Sequence, residues 1–237
     1  MSDITASMVL WNEAHRIEPL IARLRPYFEV IAVGVQASTD GTAQLAHDLA
    51  DIVVTDEWRG YGDATFGPLV LPKVQTPWTF KIDGDELPTE ELLQSLPDAV
   101  KTASAEGRDG AWIKFRSWIE DAEWEVPHSH LRLFQTRLGW PGTLHSRPNT
   151  ENTLNWPIGW IEHRKSLDEH VRGYLEYLRV GRGNRGWDEH NRLMIEGACA
   201  GTAERKGWAF VQSFDWWPEV LTTVFNDRLP ADTALEL

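Results

Sequence analysis

Two spacings of apolar residues alternate along the first hundred residues of the chain. Short, nearly continuous apolar runs predict strands, whereas stretches with apolar residues three and four positions apart predict helices. The predicted strands are 4–11, 29–35, 51–56 and 78–83, and the predicted helices are 12–28, 38–50 (opening with a turn) and 89–107. Such an alternation is typical of a parallel sheet that is covered by helices.

Two residues add local expectations to this pattern. Asn12 immediately precedes the first helical run, at the position where an N-cap residue is expected. Pro97 lies within the third helical run, where the loss of a backbone N–H can divide the helix in two.

Beyond Gly110 the pattern becomes mixed. Residues 110–121 and 130–135 read as strands without a full helix between them, and 138–149 is rich in turn residues. Two further helices are predicted over about 166–180 and 188–205. No linker separates this part from the first, which favours one compact domain over 1–237 with halves 1–107 and 108–237.

Polar residues follow each of the four predicted strands of the first half. They are Trp11-Asn12-Glu13, Gln36 to Asp40, Asp56-Glu57, and Asp83 to Glu86. The carboxyl ends of parallel strands share one edge of a sheet, which is where open α/β sheets bind their ligands. We therefore expect these residues to converge on one site.

The last of these strand ends, Asp83-Gly84-Asp85, places two carboxylates one residue apart. Hard oxygen ligands of this kind suit Mg²⁺ or Mn²⁺, which share the rest of their shell with water and substrate phosphates. A glycine turn with acids at the start of the next helix has the same composition. On these residues alone both interpretations stay open.

Composition narrows the class of protein. A formal net charge of −13 disfavours nucleic acid as a partner. The single cysteine, Cys199, excludes an internal disulfide and a thiolate zinc cluster. No apolar run approaches the roughly 20 residues of a membrane span, so we expect a cytoplasmic protein without stable membrane insertion. Neither a GxGxxG nor a P-loop pattern occurs, so the sequence gives no support for a Rossmann-type dinucleotide site or a P-loop nucleotide site.

The ordered motifs resemble those of family 2 glycosyltransferases, in particular the branch similar to lipopolysaccharide-core glucosyltransferases. The similar segments are Asn12-Glu13, the STDGT turn at 38–42, WRGYG at 58–62, the DGD turn at 83–85, RLFQTRLGWPGTLHSRP at 132–148, and 161–181. Together they extend over about 180 residues.

This resemblance implies the GT-A fold: an α/β domain with a central, mostly parallel sheet flanked by helices. It makes 1–107 the half that binds the nucleotide sugar and 108–237 a mixed, acceptor-side half with C-terminal helices. It also implies transfer of a sugar from a nucleotide-diphosphate donor, a UDP-sugar above all, to an acceptor hydroxyl. Mn²⁺ or Mg²⁺ assists, and most members of the family invert the anomeric centre.

The resemblance also implies roles for individual residues. Those bordering the nucleotide are Trp11, Asn12, Glu13, Gln36, Asp40, Asp83 and Gly84. The metal candidates are Asp85, which would coordinate the ion on the diphosphate, with Asp83 and His163. The candidates for the base that takes the acceptor's proton are His145, Asp168 and Glu169.

Two of the departures from the family pattern concern single positions. Gln36 stands where an aspartate commonly meets the nucleobase, and Ser146 stands where a glutamate commonly follows the histidine. These departures motivate one alternative, a catalytically silent module that binds a nucleotide or carbohydrate. A nucleotidyltransferase is the other alternative, although the glycine-rich basic loop expected after the first strand is missing. The acceptor remains open.

Overall fold

The computed structural model describes residues 3–58, 62–119, 122–143, 146–166, 205–206 and 209–210, and for 119, 122–127 and the last four it describes only the backbone. The chain divides into two compact units. The first comprises Met1–Ser117 and Pro127–His163, and the second comprises Trp118–Val126 and Arg164–Leu237. The residues that the sequence singles out and the structure describes lie in the first unit.

The elements follow one another in the order that the sequence predicts for the first half. The strands are β1 Ile4–Leu10, β2 Val30–Gln36, β3 Ile52–Asp56, β4 Trp78–Lys81, β5 Glu86–Pro88, β6 Gly110–Ile119, β7 Ala122–Gln135, β8 Thr153–Asn155 and β9 Ile161–Lys165. The helices are α1 Ala14–Leu24, α2 Thr42–Leu49, α3 Asp63–Thr65 and α4 Glu90–Ala105. Strand β5 was not predicted, because its three residues lie inside what reads as a turn before a helix.

The sheet has the strand order β3-β2-β1-β4-β7-β6-β9-β5, with β8 beside β6. Strands β3, β2, β1 and β4 run parallel to one another, with Ser7 of β1 opposite both Ala32 of β2 and Lys81 of β4. This confirms the predicted parallel sheet and brings four carboxyl ends to one edge. Beyond β4 the pairing changes, because β7 runs antiparallel to β4 and β9 runs antiparallel to β5.

Helices α1 and α4 bury one apolar face each against the sheet. The buried side chains of α1 are Ile17, Leu20, Ile21 and Leu24, which are the residues whose spacing predicted it. Helix α4 buries the apolar Leu92, Leu93, Leu96, Ala99 and Ala103, together with Ser95. A large aliphatic side chain contributes about 1.5–3 kcal/mol when it is buried.

Helix α4 runs through Pro97 without a break, so the expected division is wrong. Buried residues on both sides of Pro97 belong to the same core cluster. Their combined burial exceeds the roughly 3 kcal/mol that an interior proline costs a helix.

The segment from α3 to Lys73 covers the other face of the sheet, and the sequence did not predict it. A π-helical turn, Phe66–Val70, and a 3₁₀ turn, Leu71–Lys73, follow α3. Gly67 allows the close approach: a Cβ atom there would lie 2.5 Å from the carbonyl oxygen of Trp140. The segment buries Phe66 and Val70 in a second apolar cluster.

In the second unit, β10 (Arg205–Lys206) pairs antiparallel with β11 (Ala209–Phe210). The Arg164 guanidinium also lies 3.9 Å from the ring centroid of Trp118. The two helices predicted over about 166–180 and 188–205 fall outside the described residues, except that residue 166 is not helical and β10 begins at Arg205. No helix among the described residues is long and apolar enough to cross a membrane.

Candidate functional site

The ends of β1 and β2 are tied together by Asn12. Its backbone N–H donates to the Ser38 hydroxyl at 3.1 Å, and its side-chain oxygen accepts from the Thr39 backbone N–H at 2.9 Å. Asn12 has a φ of 54°, a left-handed conformation that asparagine tolerates better than most residues. The predicted capping role is therefore wrong: Asn12 turns the chain towards the next loop, and α1 begins two residues later at Ala14.

Asp40 caps the first helix from across the loop. One of its oxygens accepts from the Ala14 backbone N–H at 3.0 Å, and the other accepts from the Thr42 backbone N–H and hydroxyl at 3.1 and 2.5 Å. Burial opposes ionisation here, but the bonds from Thr42 and Ala14 outweigh it and hold the pKa of Asp40 below its usual value. The Thr42 hydroxyl in turn accepts from the Glu13 N–H at 2.9 Å. The STDGT turn therefore fixes the start of α1.

Gln36 lies at the end of β2 in a buried chain of hydrogen bonds. Its side-chain nitrogen donates to the Thr65 hydroxyl at 2.8 Å, and that hydroxyl donates to Asp56 at 2.7 Å. Because a carboxylate only accepts, the direction of both bonds is fixed, and with it the orientation of the Gln36 amide. These two bonds join the end of β2 to α3 and to the end of β3. The Gln36 side chain is only 1% exposed.

Two tryptophans stack at the same edge. The rings of Trp11, after β1, and Trp58, after β3, have centroids 4.0 Å apart and planes 26° apart. Trp11 remains 38% exposed, which leaves part of its aromatic surface in contact with solvent.

Gly84 brings the DGD turn against the end of β1. A Cβ atom at this position would lie 2.8 Å from the Leu10 side chain and 3.0 Å from Cγ of Glu13. Any larger residue would push the turn away from Glu13. Three predicted site residues, Glu13, Gly84 and Asp40, are thus parts of one contiguous loop cluster, since Asp40 and Glu13 both meet the start of α1.

Two basic side chains hold the carboxylate of Asp83. Lys81 Nζ donates to Oδ1 at 2.7 Å, and Arg132 Nη2 donates to Oδ2 at 2.7 Å. Burial alone would raise the pKa of Asp83, but Arg132 and then Lys81 reverse this and keep it well below its usual value. Both oxygens of Asp83 are therefore committed to cations of the protein.

Glu86 shares Arg132 with Asp83. Arg132 Nη2 donates to Oε1 of Glu86, and the Asp83 backbone N–H donates to Oε2 at 2.9 Å. Burial raises the pKa of Glu86 to about 8, against the opposing charge of Arg132 and with the neighbouring Asp83 and Asp85 adding to the rise. The Arg132 guanidinium donates to both carboxylates. Glu86 is the more deeply buried of the two, so it ionises less readily than Asp83 does.

Asp85 points in a different direction, towards His163. The antiparallel pairing of β5 with β9 sets Glu86 opposite His163, and it brings Asp85 Oδ2 within 3.1 Å of His163 Nε2. The other ring nitrogen, Nδ1, lies 3.5 Å from the hydroxyl of Ser117 on β6. Two of the three predicted metal ligands therefore come together, although they are 78 positions apart in the chain.

The Asp85 carboxylate fits Mn²⁺ or Mg²⁺, and His163 adds a nitrogen donor that Mn²⁺ accepts more readily than Mg²⁺ does. A carboxylate oxygen and an imidazole nitrogen are suitable ligands for Mn²⁺, and Mg²⁺ is commonly held by one or two carboxylates together with substrate phosphates. Within the described part of the chain, no three histidine, cysteine or acidic side chains cluster closely enough to form a metal centre by themselves. A bound ion would therefore take its remaining ligands from water and from substrate.

The sequence analysis missed three residues that surround this site, Lys81, Ser117 and Arg132, and it included Glu86 in a strand end without giving it a role. A signal for two of them exists, because Lys81 and Arg132 interrupt apolar strands (WTFKID and HLRLFQ), and a charge inside a buried strand needs a partner. Ser117 carried no such signal. The base candidates His145, Asp168 and Glu169 lie outside the described residues.

Comparison with known proteins places the chain among distant relatives. No protein-family model matches it. Two proteins named uncharacterized glycosyltransferase are similar: one from Rickettsia bellii is 29% identical over 114 residues, and one from Rickettsia felis is 27% identical over 117. These matches cover 48% and 49% of this chain but 36% and 39% of the relatives. The chain therefore spans well under half of the relatives' length.

One solved structure shares this fold. Staphylococcus aureus TarS 1–349, crystallised in complex with UDP, matches 94% of this chain and 78% of its own with a TM-score of 0.50 and 13% identity. The mixed α/β architecture with its mostly parallel sheet agrees with the predicted fold class. The chain therefore has the GT-A glycosyltransferase fold and is a distant relative, over about half of its length, of proteins named as glycosyltransferases.

Proposed function

We propose that the chain is a metal-dependent glycosyltransferase that moves a sugar from a UDP-sugar to an acceptor hydroxyl with inversion at the anomeric carbon. The observation that carries this proposal is the convergence of Glu13, the STDGT turn and the DGD turn at the carboxyl edge of four parallel strands. The names of the rickettsial relatives support the reaction, and the UDP in the TarS crystal supports the donor. Inversion and the lipopolysaccharide-core-like branch rest on the motif resemblance.

Some residues at this edge would contact the nucleotide directly, and others would hold the loops that surround it. Trp11 offers an exposed aromatic face, which suits a nucleobase. Asn12, Asp40 and Gln36 act through the loops that they hold in place, because their described hydrogen bonds join backbone and side chains of neighbouring loops. Asp83 lies beside the ribose position in this proposal, next to Gly84.

Asp85 and His163 would hold the divalent ion. When bound, the ion neutralises charge on the diphosphate as the glycosidic bond breaks. Among the described residues, the carboxylates of Asp63, Asp83 and Asp85 lie around Lys81 and Arg132, and the buried Glu86 adds negative charge only when it ionises. These carboxylates would attract a divalent cation to Asp85 and His163, and their partial burial strengthens that attraction.

The acceptor's proton requires a base. His145, Asp168 and Glu169 remain our candidates, with Ser146 unable to supply the charge of a glutamate. Alanine variants at the three positions should divide into one that loses turnover and two that keep most of it.

A donor panel tests the proposal. Purified protein is incubated with UDP-, GDP-, ADP- and dTDP-sugars plus Mn²⁺ or Mg²⁺, and release of the nucleoside diphosphate is measured with and without EDTA. We expect release from at least one UDP-sugar, and we expect EDTA to abolish it. Binding of UDP-sugars without release, across a panel of acceptor sugars, would instead support the silent module. No binding and no release for any donor would overturn the proposal.

A further inference from the structure

We propose that Ser117 is a positioning residue that lets His163 present a free ring nitrogen to the metal ion, an inference that rests on the metal site of the proposed function. Ser117 Oγ lies 3.5 Å from Nδ1 of His163, and Nε2 of the same ring lies 3.1 Å from Asp85. These three side chains form a line from the interior of the sheet to the site. Ser117 is 2% exposed, whereas Asp85 and His163 retain some solvent contact.

The order serine, histidine, aspartate also occurs where a serine attacks a substrate. That role does not fit Ser117, because its hydroxyl is buried in strand β6 and a nucleophile must reach its substrate. Of the three residues, Asp85 and His163 are the ones that face the site. Ser117 can therefore act only through the imidazole.

The imidazole must change its hydrogen bonds when an ion binds. A neutral ring carries one N–H, and in the metal-free protein a proton on Nε2 can be donated to Asp85 while Nδ1 accepts from the Ser117 hydroxyl. A divalent ion on Nε2 would require the lone pair of that nitrogen, so the ring would hold the ion as the tautomer that carries its proton on Nδ1.

A hydroxyl suits this change better than other partners do. Ser117 can donate to Nδ1 before the ion binds and accept from Nδ1–H afterwards, whereas a carboxylate could only accept and a lysine could only donate. Partners of this kind behind a metal-bound histidine commonly change metal affinity by about 10–100-fold. Ser117 therefore adds affinity for the ion without touching it.

Removal of the hydroxyl tests the inference directly. Mn²⁺ binding to Ser117→Ala is measured by the loss of the free-ion EPR signal, without nucleotide or donor. Ser7→Ala is the matched control, because Ser7 is also a fully buried serine on a strand, and its hydroxyl lacks a hydrogen-bond partner in the described structure. We expect Ser117→Ala to bind Mn²⁺ at least about tenfold more weakly than wild type, and Ser7→Ala to bind within about twofold of it.

A second readout follows the ring itself. In ¹⁵N NMR spectra of the wild type, saturation with Zn²⁺, a diamagnetic ion that imidazole nitrogen binds well, should move the His163 proton from Nε2 to Nδ1. In Ser117→Ala the metal-free ring should show a mixture of tautomers. An unchanged Mn²⁺ affinity in Ser117→Ala, an equal loss in Ser7→Ala, or no Mn²⁺ binding by the wild type would each overturn the inference. A weakened Mn²⁺ site in a protein that turns over no sugar donor would instead support Ser117 and refute the glycosyltransferase.

Discussion

Asp85→Asn lowers donor turnover by at least about a hundredfold while the thermal unfolding midpoint stays close to that of the wild type. A hundredfold corresponds to about 2.7 kcal/mol of transition-state stabilisation, which is within the range expected for the loss of a charged ligand to a catalytic ion. The fold tolerates the change because the amide has nearly the same shape and the side chain is partly exposed. Initial rates of nucleoside diphosphate release at saturating donor give the measurement.

The neighbouring Asp83→Asn provides the contrast. It removes the same charge two positions away, but Asp83 holds Lys81 and Arg132, so its loss leaves two buried cations short of a partner. We expect this variant to lose stability as well as activity. An Asp85→Asn variant that keeps more than a tenth of wild-type turnover would contradict a metal-binding role for Asp85.

Arg132→Met costs about 3–5 kcal/mol in the free energy of unfolding, the range found when one partner of a buried ion pair is removed. Methionine fills much of the space of the arginine stem, so packing over Phe115 is largely kept. What is lost is the counter-charge of Asp83 and Glu86. Urea unfolding at neutral pH, followed by tryptophan fluorescence, measures the difference.

Arg137→Met is the matched control. Arg137 also pairs with a carboxylate, that of Asp109, but its side chain is 68% exposed, against 8% for Arg132. An exposed pair contributes about 0–1 kcal/mol, so the control should unfold at nearly the wild-type urea concentration. If both variants lost the same free energy of unfolding, the burial of Arg132 would not explain its contribution to stability.

The first half of the fold could be predicted because its signal is local. The apolar spacing of Ile17, Leu20, Ile21 and Leu24 specifies which face of α1 is buried, and the strands are short apolar runs between helices. Parallel pairing then follows from the alternation itself. The convergence of the four strand ends required no further information.

Other features depend on contacts between distant segments. Asn12 precedes a helix and has the chemistry of a cap, but Asp40 from the next loop takes that role, so the chain at Asn12 can adopt a left-handed turn. The segment from α3 to Lys73 has no helical periodicity, and it folds against the backbone of Trp140. The sequence of one segment does not specify which distant segment it will contact, so these two contacts could not be predicted.

The candidate site also has a part that could be predicted from the sequence and a part that could not. Asp83-Gly84-Asp85 could be selected from its composition and its place after a strand. The different surroundings of the two acids could not be predicted, because Arg132 and His163 reach them from strands β7 and β9. Those strands pair antiparallel with β4 and β5, a register that no single segment reveals.

Calorimetric titration of UDP in the presence of Mn²⁺ tests the central claim most directly, because it requires neither the acceptor nor the identity of the sugar. We predict binding at one site, weakened at least about tenfold by EDTA and by Asp85→Asn, since the diphosphate and the ion share their ligands. If UDP produces no binding heat with or without Mn²⁺, and other nucleoside diphosphates also produce none, the assignment of this edge of the sheet to a nucleotide-sugar donor is contradicted.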